Sequence, residues 1–529
     1  MRTLWYNGTV ITMDADMSRY EAVGAEEGKI VFLGASDAGL AQHWDRQVDL
    51  KGAYMLPGFH DTHMHMLHYG QMRRNVDLFG TPSVDALVEK CRAHLTEKGA
   101  PCLIGWGWNQ ETMAEGRFLT REDVDRISTE VPVVLLRTCG HIAACNTKLL
   151  EAIYKLEGVD AETMSHVDFE TGILRETAVM LYTQVFANPT MADVRDIILE
   201  TQKELNAAGL TCIHSHDLHA ISGLDDFELI RMFRAMAANG ELTVRIYQQC
   251  YVDLEEFPKL AAARDSYDDH HSLFRTGPLK ILSDGSLGAA SAAIRAGYEG
   301  DPDNHGIPVH TDEELLALVR AAHTARMNVA VHAIGDLAIQ RVCDAVEQVQ
   351  RDDPWPDHRH GIIHAQITDP GLLQRMKELG LQAYIQPIFI DADMEVVEER
   401  LGADRARMSY NWKSMEDMGI RVSGGTDCPV EPFDVLDNLR SAVTRKNRAG
   451  TKTFLPEQAL TVEQAVRLVT SDGAWASYDE DYRGTLEPGK LADLVVLDRD
   501  LFAIDPDDFT KVRVLETVLN GRTVYQAEA

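Results

Sequence analysis

The sequence predicts an α/β protein, a (β/α)8 TIM-like barrel, and three observations predict it. Between residues 54 and 427, short apolar strands alternate with amphipathic helices, the signature of repeated (β/α) units. The strands number eight, which closes such a barrel without exposed edges. Polar side chains, four of them histidines, recur at the strand ends, and in a barrel those C-terminal ends surround one mouth.

The elements follow in order. Residues 4–13 read as strand, Asn7-Gly8 turn and strand, and residues 22–33 turn at Glu26-Glu27-Gly28-Lys29 before Ile30-Val31-Phe32. At the far end, 492–498, 512–514 and 518–525 repeat that character. Neither end alone has enough strands for a core, so 1–53 and 476–529 are expected to form one composite β-sandwich. The first barrel strand is predicted at 54–59, ending at the histidines. The stretch after it fits simple units poorly. It contains a helix at 84–95, strands at 101–108 and 131–137, and a helix at 193–208. We read approximately 75–205 as an inserted subdomain over the C-terminal face of the first strand, within a barrel domain spanning 54–475. Regular units resume with strands at 210–214, 242–248, 278–282, 328–332, 360–364, 382–385 and 421–427. Helices are expected at 225–239, 254–263, 312–325 with Thr311 as its cap, 337–349, 372–379 and 414–418.

Composition narrows the class. With 45% apolar and 25% charged residues, the 529-residue chain is globular in character. Its 51 Lys plus Arg stand against 83 Asp plus Glu, a formal net charge of -32, which argues against nucleic-acid and anionic-membrane partners. The start lacks a basic region followed by an apolar run, and nowhere do roughly 18 apolar residues run together. A cytoplasmic protein is expected. The eight cysteines contain no CxxC pair, so neither a disulfide framework nor a structural zinc knuckle is indicated.

The chemistry begins at Pro57-Gly58-Phe59-His60-Asp61-Thr62-His63-Met64-His65. Residues two apart on a strand share a face, so His63 and His65 can aim two imidazoles at one point while Met64 faces away. Lys280 lies in the fourth strand, His332 ends the fifth, His364 the sixth and Asp427 the eighth. Four imidazoles and a carboxylate suit Zn²⁺ or a similar borderline ion.

An ordered set of motifs is similar to the YtcJ-like, or type 3, branch of the amidohydrolase superfamily, which includes N-substituted formamide deformylases. The set comprises the histidine stretch above, Lys280-Ile281-Leu282-Ser283-Asp284-Gly285-Ser286-Leu287-Gly288, His332-Ala333-Ile334-Gly335-Asp336, Ile363-His364-Ala365-Gln366, Gln386-Pro387, Gly425-Thr426-Asp427-Cys428-Pro429, and the closing Gly484-Thr485-Leu486-Glu487-Pro488-Gly489-Lys490-Leu491-Ala492-Asp493-Leu494. The resemblance spans essentially the whole chain. It implies that His63 and His65 bind one metal with Asp427 beside it, and that His332 and His364 hold a second ion when one is present. Lys280, carboxylated by CO2, would bridge them as an anionic oxygen donor; the alternative is a lysine paired with Asp284 or Asp427. The implied reaction is hydrolysis of a C–N bond, an amide or N-substituted formamide, by metal-activated water, with Asp427 as general base and then acid. A cyclic amide, carbamate or ester fits the same site, and a metal-assisted isomerase or lyase is the rival class. A small-molecule substrate is expected, and a homodimer on the resemblance alone. The sequence departs from the commonest pattern at Cys428, where alanine often stands, and at His60, where an aliphatic residue is usual.

For substrate contacts the candidates are His141 and Glu176 in motif-like segments of the insertion, His216 and Asp217 in the polar cluster after the second strand, and Trp108 and Phe389 as pocket walls. For the aromatics, core packing is the competing reading.

Overall fold

A computed structural model describes residues 1–139, 141–186, 188–221, 223–264 and 269–528. It divides into two compact units, one of Met1–Leu67, Ile198–Ala220 and the chain from Leu224 on, the other of His68–Ile197 with Ile221 and Gly223.

The first unit contains the barrel. Its strands are β1 (Phe59–Met64), β2 (Leu210–Ser215), β3 (Arg245–Tyr251), β4 (Phe274–Leu282), β5 (Val329–Ala333), β6 (Gly361–His364), β7 (Gln382–Ile385) and β8 (Val422–Gly424). They form one sheet in sequence order, and every neighbouring pair is parallel. Five of the strands are buried at every position, as expected for strands covered on both faces. Past the end of β8 the chain returns to β1: the Asp427 N–H donates to the His63 carbonyl and the His65 N–H to the Cys428 carbonyl, each at 2.7 Å. The helices between strands begin where the sequence offers caps. Thr311 and Glu314 make a reciprocal capping box at Asp312–Thr324, and Asp225 caps Asp226–Ala238.

The terminal segments interleave. A six-stranded sheet takes Thr9–Ile11, Arg19–Tyr20 and Tyr54–Pro57 from one end of the chain and Leu494–Leu497, Val514–Leu519 and Arg522–Gln526 from the other. A four-stranded sheet holds Arg2–Tyr6, Ala22–Glu26, Lys29–Gly34 and Arg46–Asp49. Trp5, Val10, Met55, Leu494, Val496 and Val518 share one apolar cluster.

Two strand positions differ from the sequence reading. Tyr54–Pro57, expected as the first barrel strand, pairs instead with Leu494–Leu497 and Thr9–Ile11. One apolar run serves two sheets, and Gly58 is the crossing point: its N–H donates to Asp493, and a Cβ there would stand 2.3 Å from Thr211 Cγ2. His63 therefore lies within β1, with His65 directly after it. The third strand, expected at 242–248, runs from Arg245 to Tyr251, and Arg245 at its start is buried in an ion pair with Asp493 at 2.8 Å.

The second unit has its own six-stranded sheet, in the order Val167–Asp168, Ile173–Arg175, Ile142–Cys145, Val133–Arg137, Leu103–Trp108, Val76–Asp77. Separate apolar clusters pack around it, and Ser83 caps the helix Val84–Lys98. Among the described residues no helix is long and apolar enough to cross a membrane.

Gly425 makes the barrel seam possible, because a Cβ at that position would sit 2.5 Å from the His63 nitrogen and 2.9 Å from Asp61 Oδ1. Gly425→Ala is expected to cost about 1–3 kcal/mol through overpacking. A thermal melt should show a lowered midpoint, and an unchanged one would contradict this account of the seam.

Candidate metal centre

The centre is assembled at the seam. The buried Asp61 carboxylate accepts the N–H groups of His63 and Thr426, both at 3.1 Å on Oδ1, and the Thr426 hydroxyl at 2.5 Å on Oδ2. Burial pushes this carboxyl up to about 7 against the pull of those donors. The next residue, Asp427, adopts φ 58°, a left-handed conformation that a non-glycine residue keeps only when its surroundings impose it. Its Oδ1 lies 3.2 Å from His63 Nε2 and 3.0 Å from His65 Nε2. One ligand atom from each of these residues falls within 4.8 Å of the others.

The hydrogen bonds assign the tautomers. Gln249 Nε2 donates to the Thr62 carbonyl at 3.1 Å, which turns its Oε1 to accept His63 Nδ1–H at 2.7 Å. His65 Nδ1 lies 3.1 Å from the His216 carbonyl, which can only accept. Each Nε2 consequently carries a lone pair facing a carboxylate oxygen. A proton on His63 Nε2 would relieve that, but burial, with Lys280 nearby, pushes the imidazole down to about 3. Two lone pairs converging on an anion at hydrogen-bond distance fit a cation shared among them, so His63, His65 and Asp427 suit a metal ion.

The other predicted ligands adjoin this group. Lys280 Nζ is 3.4 Å from His63 Nε2, and burial lowers its amine to about 7, partly opposed by Asp427. The Asp284 carboxylate is occupied by the N–H groups of Ala293, Ile334 and Gly335 at 2.8–3.1 Å, and it lies 3.4 Å from His332. His364 repeats the His63 arrangement: Nδ1–H donates to Gln386 Oε1 at 2.8 Å, and Gln386 is oriented by the Tyr384 carbonyl at 3.0 Å. His364 has φ 78°, and its ring centre stands 5.8 Å from that of His63 and 4.6 Å from that of His332. His332 Nε2 is 3.1 Å from the Gly285 carbonyl, leaving Nδ1 as its lone-pair nitrogen.

The substrate candidates divide. His216 packs its ring 5.1 Å from that of His65, and neither ring nitrogen meets a partner in the protein. Asp217 is fully buried, accepts the Leu67 N–H at 2.8 Å, and is raised to about 6 by burial. Phe389 stacks on His364 with ring centres 5.9 Å apart. In the second unit, His141 Nδ1 pairs with Glu176 Oε2 at 3.0 Å, both side chains exposed. Trp108 takes the packing alternative: it is buried in that unit's core, with its Nε1–H bonded to the Leu135 carbonyl at 2.8 Å. Gln249 and Asp61 escaped the sequence reading as site residues, and Gln386 stood there only as part of a motif. Gln249 lies on a strand that also carries Arg245 and Gln248, so polarity along that strand did not single it out.

Comparison with known proteins agrees with this arrangement. The amidohydrolase family matches residues 46–525. The chain belongs to the amidohydrolase family. It is 32% identical to YtcJ of Bacillus subtilis (strain 168), named as an amidohydrolase, over 99% of this chain and 100% of that protein. The N-substituted formamide deformylase of Arthrobacter pascens is 25% identical over 98% of this chain and 97% of its own length. A crystal structure of an uncharacterized metal-dependent hydrolase from Pyrococcus furiosus superposes with a TM-score of 0.77 at 28% identity, covering 95% of this chain and all of that one. This amidohydrolase is accordingly a hydrolase acting on C–N bonds.

Gln249→Leu removes the acceptor that fixes the His63 tautomer while leaving the imidazole in place. Metal affinity, measured by competition with a chelator, should fall about 10–100-fold. Unaltered affinity would show that Gln249 does not orient the ligand.

Proposed function

We propose that this amidohydrolase hydrolyses the C–N bond of an amide or N-substituted formamide, with His63, His65 and Asp427 holding a zinc ion. The observation that carries the reading is the pair of imidazole lone pairs aimed at the Asp427 carboxylate from 3.2 and 3.0 Å. His332 and His364 are the proposed ligands of a second ion, with Lys280 between the two sets. Because burial brings the Lys280 amine to about 7, much of it is unprotonated near neutrality and free to attack CO2. Loss of a proton then leaves an anionic carbamate, whose oxygens suit a divalent ion as the bare ammonium does not. A zinc ion held there supplies Lewis acidity, lowering the pKa of water and polarising the substrate carbonyl.

The residues of the chain do the remaining work. Asp427 takes a proton from the attacking water and returns it to the nitrogen that leaves, acting as base and then acid. His216 offers unpartnered ring nitrogens beside His65 for the substrate's polar groups. Phe389, stacked on His364, offers an apolar surface, and the buried Asp217 holds the backbone that follows His65 through Leu67. For the second unit we propose His141 and Glu176 as substrate contacts, since both side chains are exposed. The formamide preference is supported by similarity to the Arthrobacter pascens deformylase.

Asp427→Asn keeps an oxygen donor but removes the proton acceptor. Turnover of a responsive formamide or amide should fall about 10²–10⁴-fold, with much of the metal retained in elemental analysis. Normal turnover would remove Asp427 from the reaction.

A further inference from the structure

β1 and β2 carry a second cluster of ligand-type side chains on the N-terminal side of His63. His60 and Cys212 are cross-strand partners in the parallel register, and His214 follows Cys212 by two residues, on the same face. One ligand atom from each of the three falls within 4.8 Å of the others. All three side chains are buried, His60 at 1% exposure and the other two at 0%. Nδ1 of His60 and both ring nitrogens of His214 find no hydrogen-bond partner in the protein. Orphaned polar groups are costly in a folded interior, so their grouping around one thiol calls for a reason. Gly473 packs against the His60 ring, where an added Cβ would come within 3.1 Å of Nδ1.

The surroundings select the charge of an occupant. Burial keeps both imidazoles neutral, the form that ligates metals. Arg483, Arg275 and Arg245 act on the Cys212 sulfur, with Asp479 as the acidic group facing it and Asp493 acting on His60. Arg275 is bonded to Asp479 at 2.5 Å and Arg245 to Asp493 at 2.8 Å, while Arg483 also contacts Asp479. Burial pushes the Cys212 thiol up against the pull of these guanidinium groups, so the sulfur keeps its proton until a cation displaces it, and a buried site disfavours any added net positive charge. A divalent ion on one thiolate and two neutral imidazoles leaves a net charge of +1 there. A monovalent ion leaves none. The sulfur donor selects a soft ion.

We propose that His60, Cys212 and His214 form a buried, three-coordinate site for a soft monovalent cation of the cuprous type, separate from the hydrolytic centre. Binding forms one Cu–S and two Cu–N bonds and releases the Cys212 thiol proton, with no change in oxidation state.

The test uses the full chain with zinc already bound, given one equivalent of cuprous ion under anaerobic, reducing conditions against a cuprous chelator. Copper-edge X-ray absorption should show one sulfur and two nitrogen neighbours. Cys212→Ser and His60→Leu should each weaken retention at least about 10-fold, and circular dichroism should report an unchanged fold. If His60→Leu does not fold, Cys212→Ser alone decides. Failure of the protein to hold copper against the chelator would overturn the proposal. So would a copper–sulfur signal that survives in Cys212→Ser, because that copper is held elsewhere.

Discussion

The Asp61 carboxylate, accepting donors from both sides of the barrel seam, is the interaction on which the rest of the centre depends. It ties the backbone of His63 on β1 to Thr426 beyond β8. In doing so it closes the barrel and delivers Asp427 to the two imidazoles. Gly425 supplies the clearance and Asp427 accepts a left-handed backbone. Hydrogen bonds contribute about 0.5–1.5 kcal/mol each, and three together are enough to hold one residue in a conformation costing about 1–3 kcal/mol. Barrel closure and site geometry are therefore one structural event.

From this constraint follows an electrostatic conflict that a cation resolves. Gln249 and Gln386 fix the tautomers of His63 and His364 from the far side of each ring. Neither imidazole can turn its N–H toward the centre without losing that bond. Lys280, the one amine at the centre, is held down by burial to about 7. The protein thus gathers a set of donors that suits a cation.

Much of this was legible in the sequence, for identifiable reasons. Eight apolar strands could be read because a parallel barrel buries both faces of each, and the histidine pair could be read because spacing on a strand determines facing. What escaped depended on contacts distant in the chain. Tyr54–Pro57 and Phe59 read as one apolar run up to His60, and only pairing with Leu494–Leu497 separates the two strands. Arg245 passes as interior only with Asp493, 248 residues away, beside it. Trp106 and Trp108 should share a face by strand alternation, yet the register shifts between them and Gly107 takes φ 109°. The bulge sends Trp108 into the core and leaves Trp106 44% exposed. Gln249 acts on His63 across 186 positions, which no local pattern reports.

The central claim, that the closed seam forms a site whose unbalanced donors require a divalent ion, is tested most directly by a crystal structure of the zinc-loaded protein with anomalous data at the zinc edge. The account predicts a peak bounded by His63 Nε2, His65 Nε2 and Asp427. A second peak roughly 3.5–4 Å away, beside His332 and His364, is expected with it, and extra density on Lys280 should lie between the two. Zinc bound elsewhere, with Asp427 still directly against both imidazoles and Lys280 unmodified, would contradict it.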